Sequence, residues 1–286
     1  MRSRKTTTTP SFSIQCVAGD AVCTDIMRIG VRIEWTYGLE AIIQALRPGM
    51  DTMVDLGANT GFFGLACAAR GVRTIAVEPA QGAVVHANAA LNGFAPPLFT
   101  LHEVALVAER GGSMRLRMPW TNMGSATLVA PSATENWTDM FKDGQDHLDV
   151  MVPTTTLDEL LQAPVLAPRT TVALLKIDTE GWEFFVFLGG VKTLASGLVR
   201  TIVSEWHPRF LISAGVPPLR YLLTFIDAGY IMYPSLAANT TPLLTSEVES
   251  WAETYSGIVC DIRFETGRPW PPPGATDAAG SSAGET

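Results

Sequence analysis

Three apolar runs in this chain end in acids, and the turns that follow them can hold a nucleoside. Thr52-Met53-Val54-Asp55-Leu56 opens into Gly57-Ala58-Asn59-Thr60-Gly61-Phe62-Phe63-Gly64. Arg73-Thr74-Ile75-Ala76-Val77 ends at Glu78-Pro79, and the run from Val172 to Ile177 ends at Asp178-Thr179-Glu180. A glycine turn lets backbone approach a ligand, and an acid on the next strand accepts ribose hydroxyls. A cofactor site built this way takes Asp55, Gly57, Ala58, Asn59, Thr60, Gly61 and Phe62 from the first turn. Glu78 and Pro79 follow from the second run, Glu103 and Val104 from the end of the next strand, and Asp178 from the last.

A dinucleotide fingerprint needs glycine at the place Asn59 occupies, so that a pyrophosphate fits against the helix N-terminus. A side chain there obstructs a diphosphate but can hydrogen-bond a smaller zwitterion. Asp55 would repel a phosphate and suit an ammonium group. These choices favour S-adenosylmethionine, which has a sulfonium, an amino-acid tail and no phosphate. A strand-to-helix turn without a ligand is the alternative.

Methyl transfer from a sulfonium needs the acceptor held in line and, for an alcohol, a route for its proton. Asp178, Glu180, Glu205 and His207 are the candidates for that proton. Lys176 shares a strand face with Asp178 and could join the chemistry, hold an acidic substrate, or form a plain ion pair. Pro208 biases His207 away from helix; His86 and His102, within a helix and a strand, are poorer choices. A divalent metal is chemically reasonable among these acids, but their spacing matches no metal motif, and none is expected. Tyr37 and Glu40 could cover the cofactor, and Trp182 could border the acceptor. Asn122, Ser125 and Thr127 could hydrogen-bond a polar acceptor from an irregular segment.

The elements that must position these groups alternate between strand and helix. Helices are expected at 35–46, 61–70 and 81–92, around strands ending at Asp55 and Glu78 and a strand at 98–104. From 105 to 152 the helical period is lost, while Ser113-Met114-Arg115-Leu116-Arg117-Met118 alternates as a half-exposed strand, with 149–153 as a partner. Thr156-Leu157-Asp158-Glu159 opens a short helix through a capping box. Strand four, 172–178, is apolar enough to be buried on both faces. Then follow a helix at 182–195, a strand at 199–205, a helix at 218–228 and strands at 230–233 and 257–264. This is an α/β fold, Rossmann-like and seven-stranded, with an inserted β-rich segment before strand four. Residues 1–12 read as a flexible lead, 13–269 as one domain, and 270–286 as a disordered tail.

At 286 residues and 47% hydrophobic content, the chain can bury a sizeable core. A formal net charge of −8 argues against nucleic acid as a partner and for a small-molecule acceptor. No apolar run is long enough to span a membrane, and the basic start lacks an apolar signal core, so a cytoplasmic location is expected. Cys16, Cys23, Cys67 and Cys260 form no zinc spacing; Cys67 and Cys260 read as core thiols, Cys16 and Cys23 as a reduced pair.

Together these stretches resemble the FkbM family of S-adenosylmethionine-dependent methyltransferases. The resemblance rests on Val54-Asp55-Leu56-Gly57-Ala58-Asn59-Thr60-Gly61, Glu78-Pro79, Asn88 and Asn92. It continues through Thr156-Leu157-Asp158, Leu175-Lys176-Ile177-Asp178-Thr179-Glu180-Gly181-Trp182-Glu183, Leu188-Gly189-Gly190 and Glu205. It implies a seven-stranded methyltransferase fold acting on hydroxyl groups of sugars or secondary metabolites. It also implies that Asp55, Gly57, Asn59 and Glu78 bind cofactor while Asp178 and Glu180 face the reacting centre. Trp182 stands where the family commonly has a small residue. The expectation is O-methylation of a small polar acceptor. N-methylation, a nucleotide-dependent oxidoreductase and a non-catalytic cofactor-binding module are the alternatives.

Overall fold

In the computed structural model, which describes residues 1–17, 20–120, 122–129, 146–162 and 171–271, the chain opens on two antiparallel strands. These are β1 (Arg2–Lys5) and β2 (Ser13–Cys16). The segment expected to be a flexible lead is therefore paired, and Thr6, Thr8 and Phe12 within it are buried. What holds it lies far along the chain. The Asn88 amide accepts from Gln15 N at 2.6 Å and donates to Gln15 O at 3.0 Å and to Thr60 O at 2.9 Å. Asn92 does the same for Ser13 N and O, at 2.7 Å each. Each amide stands in for a neighbouring strand. Asn88→Ala is expected to cost about 2–4 kcal/mol, because it strands buried backbone groups as well as removing bonds. Denaturant melts measure the loss, and proteolysis should reach residues 13–17 first.

Helix α1 (Ala21–Ile29) was not expected; Asp20 caps it, accepting from Cys23 N at 3.2 Å. The helix expected at 35–46 is a π-type turn at Trp35–Leu39 followed by α2 (Glu40–Gln44). Gly38, at φ 117°, breaks the two apart. Next come β3 (Thr52–Leu56), α3 (Phe62–Ala69), β4 (Arg73–Val77), α4 (Gly82–Leu91) and β5 (Phe99–His102). A second group of strands follows: β6 (Ala105–Leu106), β7 (Ser113–Pro119), β8 (Thr127–Leu128) and β9 (His147–Thr155). Helix α5 (Leu157–Gln162) begins where Glu159 N donates to Thr156 Oγ1 at 3.1 Å.

Strand β10 (Val172–Ile177) is buried at every residue. The helix expected at 182–195 is split into α6 (Glu183–Gly189) and α7 (Val191–Ala195). At the break, a Cβ on Gly190 would lie 2.6 Å from Leu157 Cδ2, so a larger residue there would have to displace the Leu157 side chain. The chain closes with β11 (Val199–Trp206), α8 (Pro208–Ser213), α9 (Pro218–Asp227), β12 (Tyr230–Tyr233), α10 (Val248–Thr254) and β13 (Cys260–Thr266). Trp270, read as the start of a loose tail, packs beneath the Arg200 guanidinium at 4.8 Å. The rest of the expected tail, from 272, lies outside the described residues.

Among the described residues, seven strands form the central sheet in the order β12-β13-β11-β10-β3-β4-β5. The five from β11 to β5 run parallel; beyond β11, β13 is reversed and the edge strand β12, antiparallel to β13, again points along the five. From β3 the chain winds out to β5 and later returns to β10 on the other side. The crevice at the carboxyl ends of β3 and β10 is thus the switch point where such sheets bind ligands. One core face is built on Val54, Leu175, Ile202 and Phe264, the other on Met53, Leu65, Leu174 and Val203. Each fully buried aliphatic or aromatic side chain contributes roughly 1.5–3 kcal/mol. A further sheet, in the order β6-β9-β7-β8 among the described residues, packs on Trp182 through Leu116, Met118, Leu128 and Val152. All four cysteines are free thiols. Among the described residues, no helix is long and apolar enough to cross a membrane.

Candidate active site

The two loops at the switch point touch. Asp178 N donates to Leu56 O at 3.0 Å, and Gly57 N and Ala58 N both donate to Val77 O at 3.0 Å. Gly57 sits at φ 78°, and a Cβ there would lie 1.7 Å from the Asp178 carbonyl oxygen. No other residue fits. Asn59 and Glu180 are also left-handed, at φ 55° and 54°. Asparagine tolerates that region; glutamate there stores strain of about 1–2 kcal/mol. Asn59 N donates to Glu78 Oε2 at 2.7 Å, while Glu78 Oε1 accepts from Ala80 N and Gln81 N at 2.7 and 2.9 Å.

These loops wall a cavity lined by Gly57, Ala58, Asn59, Thr60, Phe62, Glu78, Pro79 and Val104 on the glycine-turn side. Lys176, Asp178, Glu180 and Trp182 line it from β10 and its loop. The other residues singled out from the sequence do not line it. Asp55 is fully buried, its Oδ2 accepting from Gly64 N at 3.1 Å to anchor α3. Gly61 is the N-cap of that helix. Glu103 pairs with His86 at 3.2 Å near the surface, and Tyr37 is 65% exposed. Asn122 and Ser125 bond to one another. Glu205 sits on β11, one strand beyond β10. His207 caps α8 with its imidazole stacked 3.6 Å from the Phe210 ring.

Charge is packed tightly under the cavity. Lys176, 2% exposed, holds Asp178 Oδ2 at 2.6 Å. Burial opposes its charge, but Asp178, Asp55 and Asp261 outweigh that and push its pKa up. Burial pushes Asp55 up to about 6, with Lys176 pulling the other way. Burial also works against Asp178, yet the Lys176 ammonium holds that carboxyl below its ordinary range. Glu180 goes the other way, driven well above the usual carboxylate range by burial and then by Asp178 and Glu183. Two neighbouring acids are therefore split into an anion and a proton holder, the division that acid–base chemistry needs. Glu183, raised to about 7 by burial, accepts from Thr179 N at 2.8 Å and Gly181 N at 3.1 Å and so shapes this loop.

The roof was not legible in the sequence. Leu116, Ala126 and Leu128 from the second sheet cover the cavity with Met123 and Gly124. Two bonds tie roof to floor: Thr127 Oγ1 donates to Glu180 O at 2.8 Å, and Trp182 Nε1 to Leu128 O at 3.0 Å. Val22 and Arg32 arrive from the N-terminal segment, where Asp20 Oδ2 also accepts from Met123 N at 2.9 Å. Gly124 marks where three segments meet: a Cβ there would come 2.3 Å from Val22 and 2.7 Å from Asn59. The only sequence signal for Arg32 is a lone cation between Val31 and Ile33.

A family model described as the methyltransferase FkbM domain matches residues 55–232, more than half of the chain. The chain belongs to the FkbM methyltransferase family. No curated protein matches it. Among solved structures it is similar to a candidate S-adenosylmethionine-dependent methyltransferase from Streptococcus mutans, at 13% identity and a TM-score of 0.40. That match covers 90% of this chain and 53% of the other, so the chain spans about half the length of that protein. A geranyl diphosphate methyltransferase in complex with S-adenosylmethionine is 14% identical, with a TM-score of 0.40, covering 87% of this chain and 91% of that one. Precorrin-6y C5,15-methyltransferase from Geobacter metallireducens is 12% identical, with a TM-score of 0.36, covering 79% and 87%.

The FkbM chain's cavity fits S-adenosylmethionine on its own chemistry. Glu78 Oε2 accepts one backbone bond and keeps a lone pair for a ribose hydroxyl. Pro79, Val104, Leu106 and Leu116 supply apolar surface for a base. Asp178 gives an anion for the ammonium and sulfonium. Among the described residues, no group of three or more metal-ligating side chains is placed to hold a metal ion.

Proposed function

We propose that this FkbM-family chain transfers a methyl group from S-adenosylmethionine to a hydroxyl of a small polar acceptor. One observation carries the reading: Asp178 and Glu180 share a cavity wall, yet their environments push their protonation in opposite directions. When bound, S-adenosylmethionine supplies a methyl carbon made electrophilic by the adjoining sulfonium. Glu78 and the glycine turn hold the adenosine, and Phe62, Leu128 and Trp182 exclude water. Asp178, kept anionic by Lys176, orients the acceptor hydroxyl. As the acceptor oxygen bonds to carbon and the carbon–sulfur pair stays on sulfur, Asp178 receives the proton that oxygen sheds, while Glu180, which keeps its own proton, donates a hydrogen bond to the acceptor. A neutral amine acceptor would need this base less.

The net charge of −8 supports a small molecule over nucleic acid as the acceptor. Purified protein given methyl-labelled cofactor with hydroxylated acceptors and their amine analogues is expected to label the hydroxyl compounds. Label in the amines alone would overturn the oxygen assignment.

A further inference from the structure

The amino-acid tail of S-adenosylmethionine carries a carboxylate, and a wall of acids repels it. Among the described residues lining the cavity, only Lys176 and Arg32 are cationic. Lys176 is buried and already committed to Asp178. Arg32 is differently placed. Its Nε donates to Glu34 Oε2 at 3.0 Å and its Nη2 to Glu34 Oε1, whereas Nη1 makes no hydrogen bond among the described residues. A guanidinium held along one edge keeps donors for a second carboxylate. Its charge acts on Asp55, Asp178 and Glu180, which puts it at the β3–β10 end of the site. With the ribose on Glu78, an extended tail would reach toward that end of the cavity.

We infer that Arg32, braced by Glu34, binds the α-carboxylate of the cofactor. The inference rests on the proposed cofactor and names a ligand outside the stretch matched by the family model, 55–232. The N-terminal segment is then part of the cofactor site and not merely packed against it.

Calorimetry with two ligands tests this: S-adenosylhomocysteine, and methylthioadenosine, which lacks the amino-acid tail. Arg32→Gln is expected to weaken the first by ~10–100-fold, the span of a lost charge-assisted bond, and leave the second unchanged. Arg32→Lys, which keeps charge without the fork, should fall between. Equal weakening of both ligands would assign Arg32 a purely structural role, and undiminished S-adenosylhomocysteine affinity would leave the carboxylate to backbone amides; either overturns the inference. A variant-free check compares S-adenosylmethionine with its decarboxylated form on the native chain, where a similar ~10–100-fold preference is expected and equal affinity counts against Arg32. A native chain that binds none of these ligands would instead bring down the cofactor reading itself.

Discussion

Lys176→Met is expected to destabilise the chain by about 3–5 kcal/mol near pH 8, and by markedly less near pH 5. Lys176 is almost fully buried and is the cation shared by Asp55, Asp178 and Asp261. Asp55 already sits near 6 with that cation present. Without it, the folded pKa values of Asp55 and Asp261 move further above their unfolded ones, and Asp178 loses what holds it below its own. A raised folded pKa gives stability that is complete below the unfolded pKa and is lost as pH rises through the folded value. Asp55's share of the deficit therefore opens as pH rises through about 6, where the native carboxyl ionises and the variant's stays protonated. Denaturant melts at both pH values measure it, and an identical loss at each would show that the cation does not compensate those carboxyls. Lys176→Met with Asp178→Leu should recover part of the loss, because an apolar pair replaces an ion pair more cheaply than a lone charge survives.

Gly57→Ala is the second large effect. The added methyl would sit 1.7 Å from a backbone carbonyl that has nowhere to move, since Asp178 N is itself bonded to Leu56 O. Loss of about 4 kcal/mol or more is expected, together with loss of S-adenosylhomocysteine binding. Gly49→Ala provides the control. Gly49 is also left-handed, at φ 72°, but a Cβ there meets nothing within 4 Å. It should cost only about 1 kcal/mol of backbone strain. The difference between the two variants isolates the collision between the loops. Equal losses would mean that β3 and β10 are less tightly joined at their tips than described.

Strands β3, β4 and β10 were readable because buried parallel strands have one signature, an apolar run ended by a polar turn. The alternation in Ser113–Pro119 was equally plain. Helix α8 was missed for a physical reason. Pro208 was read as pushing His207 out of helix, which holds, but the same proline is at home in the first helical turn that His207 caps. Strand β2 has little apolar signature of its own, because its partners include two asparagine amides more than seventy residues away. Within the site, residues adjacent in sequence to the glycine turn and to Asp178 were found. The roof and Arg32 were not, since their relation to the cavity exists only after the chain has folded. Asp55, which its motif position marks as a ligand group, commits Oδ2 to the start of α3, while its buried Oδ1 has no hydrogen-bond partner among the described residues.

The Thr127 and Trp182 bonds have an implication for altering what this chain accepts. Because the carbonyl of Glu180 hangs from Thr127, the proton-holding acid takes its bearing from the cover above it. A chimera given a foreign 105–155 segment would change which molecules enter and, in the same stroke, how squarely that acid meets them. Selectivity and reactivity in this chain are thus inherited together.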